Sequence, residues 1–144
     1  MKKKIYVITG SRADYGLMQN LINKFHKDKN IDLKIFATGM HLSPEFGNTY
    51  KEILNDGFKI EKKIKILNCS DTPIAISKST GLGVMGFGKI FNSYKPDLLI
   101  VLGDRYEIMA AVMAANFHHI PVAHIGGGDT TLGAVDEWIR HSIT

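Results

Sequence analysis

Short apolar runs alternate with amphipathic stretches along the chain. Runs rich in β-branched residues predict strands at residues 5–9, 33–37, 60–67, 98–102 and 120–125. Apolar residues at helical spacing predict helices at residues 14–27, 44–55 and 107–117, and a further helix from residue 136. The run at 98–102 is apolar throughout, which is typical of a central parallel strand buried on both faces.

This alternation predicts an α/β fold, a doubly wound, Rossmann-like parallel sheet with helices on both faces. Such sheets bind ligands beyond the carboxyl ends of their strands, where the strand order reverses. Polar loops follow three of the predicted strands, at residues 10–14, 103–107 and 124–129. We therefore expect the functional site to be built from these three loops.

The composition is that of one ordinary globular domain, because 44% of the 144 residues are hydrophobic and 22% are charged. A disordered chain, a collagen-like repeat and a coiled coil are excluded. The longest uncharged apolar stretch, residues 108–117, is far shorter than the roughly 20 residues that span a bilayer, so we expect no membrane partner. The single cysteine, Cys69, has no partner for a disulfide, and the apolar run after the first lysines is too short for a signal peptide. Both observations favour the cytoplasm.

A net charge of +4 raises the alternative of a nucleic-acid partner. The excess lies in the first half of the chain, mainly at residues 2–4 and in a second group of lysines at 59–65. Lysine and isoleucine partly alternate in the second group, which indicates a solvated edge strand that is protected from pairing. Because no aromatic residues are interleaved to stack on bases, we expect no nucleic-acid binding.

Residues 81–86 match the dinucleotide motif G-x-G-x-x-G, and residues 83–89 match the start of a Walker A loop. The second match fails at Ile90, where a hydroxyl residue is needed, and neither motif directly follows a strong buried strand. We interpret this segment as a glycine-rich helix whose glycines allow close packing.

The first loop carries Gly10, Ser11 and Arg12. Backbone N–H groups at the start of the following helix attract anions, and a guanidinium suits phosphate oxygens. The alternative for Arg12 is a surface position without a ligand. We expect these three residues to bind an anionic group.

Carboxylates follow the later strands, at Asp104, Asp129 and Asp136. A carboxylate at a sheet edge can serve as an acid or a base because its surroundings tune its pKa. Two alternatives stay open: Asp104 caps the next helix, or Asp136 pairs with Arg140 four residues later. His124 has the alternative of a hydrogen-bonded core residue. The sequence has no H-E-x-x-H motif or Cys/His cluster, so no metal site is indicated.

Several motifs occur together in a fixed order. They are Gly10-Ser11-Arg12-Ala13-Asp14-Tyr15-Gly16, Thr38-Gly39-Met40-His41, Gly103-Asp104-Arg105-Tyr106-Glu107, His124 with Gly127-Gly128-Asp129, Asp136-Glu137 and Ile139-Arg140-His141. This series resembles the hydrolysing UDP-N-acetylglucosamine 2-epimerases of the sialic-acid pathway, whose relatives act on the GDP-linked sugar. The resemblance implies that residues 1–144 are the amino-terminal, Rossmann-like domain of a two-domain, GT-B-type enzyme. It also implies that this half alone lacks turnover.

For this family the resemblance implies anti elimination of UDP across C1 and C2 of the sugar, followed by hydration of 2-acetamidoglucal to N-acetylmannosamine. It implies no cofactor, UDP-N-acetylglucosamine or a GDP-linked analogue as the ligand, and a homodimer of the full-length enzyme. Asp104 and Asp136 match the catalytic carboxylates, and Arg12 and Arg105 match residues that line the nucleotide-sugar cleft. Further substrate-binding positions that match are His41, Glu137 and His141.

The third loop departs from the family pattern. Many members carry Glu two residues after the equivalent of His124, where this chain has Gly126. The common Gly-Gly-Glu is Gly127-Gly128-Asp129 here. Asp129 is therefore either the replacement for a missing catalytic carboxylate or a shorter form of a supporting Glu. Two other functions stay open: one half of a GT-B glycosyltransferase, or a nucleotide-binding module without catalysis.

Overall fold

Five parallel strands form one sheet in the computed structural model of this chain. The structure describes residues 1–66, 72–131, 133 and 136–144. The strands are β1 (Lys3–Thr9), β2 (Ile31–Thr38), β3 (Ile60–Ile64), β4 (Leu98–Leu102) and β5 (Val122–Ile125). The α-helices are α1 (Arg12–Lys27), α2 (Tyr50–Asn55), α3 (Pro73–Ser93), α4 (Tyr106–Phe117) and α5 (Glu137–Ile143). Two short 3₁₀ turns, Gly39–Leu42 and Pro44–Phe46, precede α2.

The strand order is β3-β2-β1-β4-β5, so the first strand of the chain lies at the centre of the sheet. β1 pairs in parallel with β2 along its whole length and with β4 over residues 5–7. The chain first winds outward from β1 through β2 to β3, and then returns to the other side of β1 for β4 and β5. This is the doubly wound sheet that the alternating pattern predicts.

Alternate residues of the central strands face opposite sides of the sheet, which creates two apolar layers. On one side, Ile8 of β1 belongs to a buried cluster with Phe87 of α3. On the other side, Val7 belongs to a second cluster with Met18 of α1 and Ile53 of α2. Helices therefore cover both faces, and the ends of the strands are left for a ligand.

Glycines allow α3 to approach its neighbours closely. A Cβ added at Gly83 would lie 2.8 Å from the Ala110 Cβ of α4, and one at Gly86 would lie 2.8 Å from a methyl carbon of Ile64. The segment that matches the dinucleotide motif is therefore a packed helix, as the sequence analysis predicts.

The lysine-rich strand β3 is an edge of the sheet, which confirms the prediction of an exposed edge strand. The side chains of Lys62 and Lys63 are exposed, and the Lys63 ammonium lies 3.3 Å from the centre of the Tyr50 ring. The strand ends at Ile64, earlier than predicted. Residue 67, the predicted end of this strand, and Cys69 lie outside the described residues.

The predicted helix at 44–55 is wrong in its first half. A 3₁₀ turn ends at Phe46, and α2 begins only at Tyr50. Between them Gly47 has a φ of 79° and Asn48 a φ of 51°, so both adopt the left-handed backbone conformation that interrupts a right-handed helix. The apolar spacing across this gap cannot reveal such a change of direction.

The remaining boundaries are close to their predictions. β4 matches residues 98–102, and its central residues are buried as expected for an internal strand. β5 begins two residues later than predicted, because the Ile120 N–H donates to the Ala115 carbonyl in the turn that ends α4. Within the described ranges, every helix is too short or too polar to cross a membrane.

Candidate functional site

The strand order reverses between β1 and β4, which makes their carboxyl ends the expected place for a ligand. The turn after β1 contains Gly10 and Ser11, and the turn after β4 contains Gly103 and Asp104. Side chains from α4 and α5 reach these turns and connect them. The polar groups at this switch point form two linked clusters, described in turn below.

Arg140 of α5 organises the first cluster. Its Nε and Nη2 both donate to Asp104 Oδ2, the first at 3.0 Å. Its Nη1 donates to the Asp129 carbonyl oxygen at 2.9 Å and to Thr131 Oγ1 at 3.0 Å. One guanidinium thus joins the loop after β4, the loop after β5 and the last helix. The Asp104 side chain is 23% exposed, so the carboxylate is sheltered without being closed off.

The structure decides between the alternatives left open for Asp104 and Asp136. Asp104 does not cap α4, because Arg105 is the N-cap residue and its side chain makes no capping bond. Asp136 does not pair with Arg140, whose guanidinium turns to Asp104 instead. Asp136 is the exposed N-cap residue of α5, one turn before Arg140. The short helix α5 therefore connects the two carboxylates, because Asp136 caps it and its Arg140 binds Asp104.

Arg105 and Glu107 form the second cluster, beneath the turn after β1. Arg105 Nε donates to Glu107 Oε1 at 2.6 Å, and the Glu107 side chain is fully buried. The carboxylate lies against two glycines: a Cβ at Gly10 would come 3.2 Å from Oε1, and a Cβ at Gly39 would come 2.8 Å from the same atom. Glycine at both positions therefore makes room for Glu107.

Asp14 is a second buried acid close to Arg105. Asp14 Oδ2 and Glu107 Oε2 are both buried without a hydrogen-bond partner among the described residues. Burial raises the pKa of both carboxyls, and the positive charge of Arg105 acts against this rise in each. One guanidinium therefore serves two desolvated acids at the switch point.

The loop that we expect to bind an anion makes local contacts of its own. Ser11 is the N-cap of α1, and its hydroxyl accepts the Asp14 N–H at 3.3 Å. The Arg12 side chain is 73% exposed, and its Nε lies 3.1 Å from Glu52 Oε1 of α2. Arg12 faces a depression lined by Glu52 and Tyr15, whereas Asp104 lines another one. Arg12 therefore contacts Glu52 and does not contact Asp104, Asp129 or Asp136.

His41 is fully buried below the end of β1. Its Nε2 lies 2.9 Å from Thr9 Oγ1, and its Nδ1 lies 2.8 Å from Thr49 Oγ1. Burial lowers the pKa of His41 to about 4, so the ring is neutral at physiological pH. Both ring nitrogens are hydrogen-bonded, so His41 connects β1 to the segment before α2.

His124 is hydrogen-bonded, as its alternative proposed, but it is half-buried rather than a core residue. Its Nε2 lies 2.6 Å from the Gly103 carbonyl oxygen, and its Nδ1 lies 2.9 Å from Thr144 Oγ1. A Cβ at Gly127 would come 2.6 Å from the same Nδ1, so the ring occupies the space that this glycine leaves. His124 thus ties the end of β5 to the turn that presents Asp104.

The other two predicted binding residues lie on α5. Glu137 and His141 are one turn apart, with His141 Nε2 3.4 Å from Glu137 Oε1. Across the part of the chain that the structure describes, no three His, Cys, Asp or Glu side chains are grouped to hold a metal ion.

Three residues of the clusters were missed as site residues by the sequence analysis: Asp14, Glu107 and Arg140. All three stand in the quoted motifs, but each has an ordinary local explanation. An acid in the first turn of a helix is common, and Arg140 is at the right spacing to pair with Asp136. Only the packing of α4 and α5 against the strand ends reveals their roles.

The charged clusters lie at the switch point of a Rossmann-like sheet, which is where sheets of this class bind their ligands. A family model described as UDP-N-acetylglucosamine 2-epimerase matches residues 23–144. The chain is 47% identical over 143 residues to a GDP/UDP-N,N'-diacetylbacillosamine 2-epimerase (hydrolyzing) from Campylobacter jejuni. It is 42% identical over 144 residues to a UDP-N,N'-diacetylbacillosamine 2-epimerase (hydrolyzing) from Legionella pneumophila. The chain therefore belongs to the UDP-N-acetylglucosamine 2-epimerase family.

These matches cover 99% and 100% of this chain but only 37% and 38% of the two relatives. The chain thus spans less than two fifths of the length of either protein. A third relative, polysialic acid biosynthesis protein P7 from Escherichia coli, is 42% identical over 142 residues.

Solved structures show the same fold. A crystal structure of a UDP-N-acetylglucosamine 2-epimerase aligns with a TM-score of 0.85 at 22% identity, over 99% of this chain and 39% of that one. The Neisseria meningitidis enzyme bound to UDP-GlcNAc aligns with a TM-score of 0.80 at 23% identity, over 97% of this chain and 37% of that one. The sheet order and this likeness confirm the predicted fold class, a Rossmann-like half of a GT-B-type fold.

Proposed function

We propose that residues 1–144 are the amino-terminal domain of a hydrolysing 2-epimerase that acts on a nucleoside-diphosphate-linked 2-acetamido sugar. The substrate is UDP-N-acetylglucosamine or a close analogue, including a GDP-linked one. The observation that carries the proposal is the carboxylate of Asp104, held by Arg140 at the switch point beside the Asp129 loop. The names of the relatives support the class of substrate.

The proposed reaction has two steps. In the first, a base removes the proton from C2 of the sugar, the electron pair forms the C1–C2 double bond, and the C1–O bond breaks. The nucleoside diphosphate leaves with the electrons of that bond. In the second step, water adds its hydroxyl to C1, and an acid returns a proton to C2 on the opposite face. The products are the free 2-epimeric sugar and the nucleoside diphosphate, and no electrons pass to a redox cofactor.

Asp104 suits the role of the base. Both bonds from Arg140 go to Oδ2, and in the described part of the chain Oδ1 accepts no hydrogen bond. A carboxylate that is held by one oxygen presents the other in a fixed direction, which is what proton transfer requires. Asp129 and Asp136 lie on either side of the loop that leads to Arg140, and we assign the proton return in the second step to this pair.

The departing diphosphate needs a positive charge at the same place. Arg105 follows Asp104 directly, and its side chain is 37% exposed while its Nε is held by Glu107. We assign Arg105 to the diphosphate oxygens, because a guanidinium can bind two phosphate oxygens in its plane. We assign the rest of the nucleotide pocket to the part of the full-length enzyme outside residues 1–144.

The decisive experiment is Asp104→Asn in the full-length enzyme. We expect turnover to fall by at least about a thousandfold, since the amide cannot accept the C2 proton, while circular dichroism shows an unchanged fold. Glu45→Gln is the matched control, because Glu45 is exposed on a short turn away from the two clusters.

The assay contains no acceptor sugar and detects UDP and the free 2-epimeric sugar. Incorporation of solvent deuterium at C2 reports the two-step route. An Asp104→Asn enzyme with normal turnover removes Asp104 from the chemistry. Sugar transfer that requires an added acceptor would instead establish the glycosyltransferase alternative.

A further inference from the structure

We propose that Glu107 is a positioning residue that holds Arg105 in place for the diphosphate of the substrate. The inference rests on the proposed function, since it concerns the same site and the same ligand. It adds a residue that the expected cleft positions did not include.

The Glu107 carboxylate is fixed from three sides. It is the fully buried partner of Arg105, at 2.6 Å from Nε, and it lies against the backbone of Gly10 and Gly39. Those glycines follow the ends of β1 and β2, so the carboxylate is wedged between the tips of the central strands. It has no room to follow a moving guanidinium.

Arg105 is therefore held at Nε, and its guanidinium carbon lies 5.9 Å from the centre of the Tyr106 ring. Within the described residues, its side chain makes one hydrogen bond, from Nε to Glu107. Both Nη groups remain available at a partly exposed position on the switch point. Asp14, at the start of α1, is near enough for its charge to favour the protonated arginine. Such a fork, fixed at Nε and open at Nη, is preorganised for a bidentate oxyanion.

The protein maintains this arrangement at a cost. Burying a carboxylate with one oxygen unpartnered disfavours the folded state, and Glu107 Oε2 has no partner among the described residues. A glutamine of the same size would remove the buried charge, so the cost of desolvating that charge would disappear. Retaining the charge is understandable if it orients Arg105, and we therefore expect Glu107→Gln to weaken ligand binding without lowering stability.

The test is a double-mutant cycle on the full-length enzyme, with UDP binding measured by calorimetry for wild type, Arg105→Lys, Glu107→Gln and the double variant. We expect Glu107→Gln to weaken UDP binding about tenfold, as for the loss of one oriented charge-assisted bond. Its unfolding midpoint should stay equal or rise. In the Arg105→Lys background the same change should have little further effect, because there is no guanidinium left to orient.

A simple charge effect predicts the opposite sign, because removing a negative group would tighten anion binding in both backgrounds. Equal or tighter UDP binding by Glu107→Gln, or additive effects in the cycle, would overturn the inference. If the wild-type enzyme binds UDP and turns over normally, such a result overturns only the inference about Glu107 and leaves the proposed function standing. A wild type with neither binding nor turnover overturns both.

A second variant should displace the Glu107 side chain without changing any charge. A Cβ at Gly10 would lie 3.0 Å from Glu107 Cγ, so Gly10→Ala should displace the carboxylate and weaken UDP binding in the same way. Gly16→Ala is the matched control, because nothing lies within 4 Å of a Cβ at this exposed position in α1. Normal UDP binding by a folded Gly10→Ala enzyme would contradict the inference independently.

Discussion

Hydrogen-bonded side chains that are buried or half-buried set the geometry at the strand ends. Glu107 supports Arg105, His41 joins two threonines, and His124 joins β5 to the turn after β4. Burial of an ionisable group such as Glu107 or His41 makes the free energy of unfolding depend on its protonation.

His41 should give the protein a measurable acid sensitivity. Above pH 6.5 the ring is neutral in both the folded and the unfolded state, so its full contribution to stability is present. Burial lowers its folded pKa to about 4, so as the pH falls from 6.5 towards 4 the unfolded chain gains a proton that the folded one does not. This difference removes roughly 3 kcal/mol of stability by pH 4. The measurement is urea unfolding between pH 4 and 7.

The buried carboxyls change stability in the opposite direction. The pKa values of Asp14 and Glu107 are raised by burial, so their contribution is present in acid and is lost as the pH rises through the folded pKa. Comparison with His41→Gln isolates the histidine, since both proteins keep the two acids. Between pH 7 and pH 4 the variant should lose less stability than the wild type, or gain stability; equal losses in the two proteins would contradict the explanation.

At the scale of elements, the contact between α3 and α4 depends on glycine. Gly83 lies opposite Ala110, with no space for another carbon atom between them. Gly81, two residues earlier, is exposed, and a Cβ there would meet nothing within 4 Å. Replacing these two glycines with alanine should therefore change the free energy of unfolding in opposite directions.

Gly83→Ala should lower the free energy of unfolding by about 1 kcal/mol, because overpacking costs about 1–3 kcal/mol and only part of it returns as helix propensity. Gly81→Ala should raise it by about 0.5–1 kcal/mol, because alanine favours an exposed helix. Denaturant unfolding of both variants checks the signs. A stabilising Gly83→Ala would show that the two helices separate more easily than their contact indicates.

The accuracy of the sequence analysis differs among elements for physical reasons. β4 could be predicted residue for residue, because a continuous apolar run between Pro96 and Gly103 has few alternatives. The helix at 44–55 could not, because the left-handed turn at Gly47 and Asn48 leaves the apolar spacing unchanged. Local patterns of apolar residues predict burial well, but they predict changes of backbone direction poorly.

The same distinction applies to the site. Asp104 could be placed at a strand end from the sequence, because it follows the most apolar strand. Its partner Arg140 could not, since the two are 36 residues apart and local spacing favours Asp136. The burial of Glu107 likewise depends on Gly10 and Gly39, which follow two other strands.

At the scale of the whole molecule, protection should decrease from the centre of the sheet to its edges. β1 has a strand on each side, whereas β3 is an edge with exposed lysines. Amide hydrogen exchange of central strands normally requires global unfolding, while edges open locally. We expect the amides of Val7 and Ile8 to exchange slowest and those of β3 much faster, as measured by NMR. Equal protection across the five strands would contradict this order.

The position of β1 also has a consequence for synthesis on the ribosome. Its partner on one side is β4, and the Lys4 N–H donates to Asp97, 93 residues later. At about 5–20 residues per second, translation of that interval takes roughly 5 to 20 seconds. Throughout this time one flank of the central strand is uncovered, which makes the nascent chain a natural client for a holding chaperone.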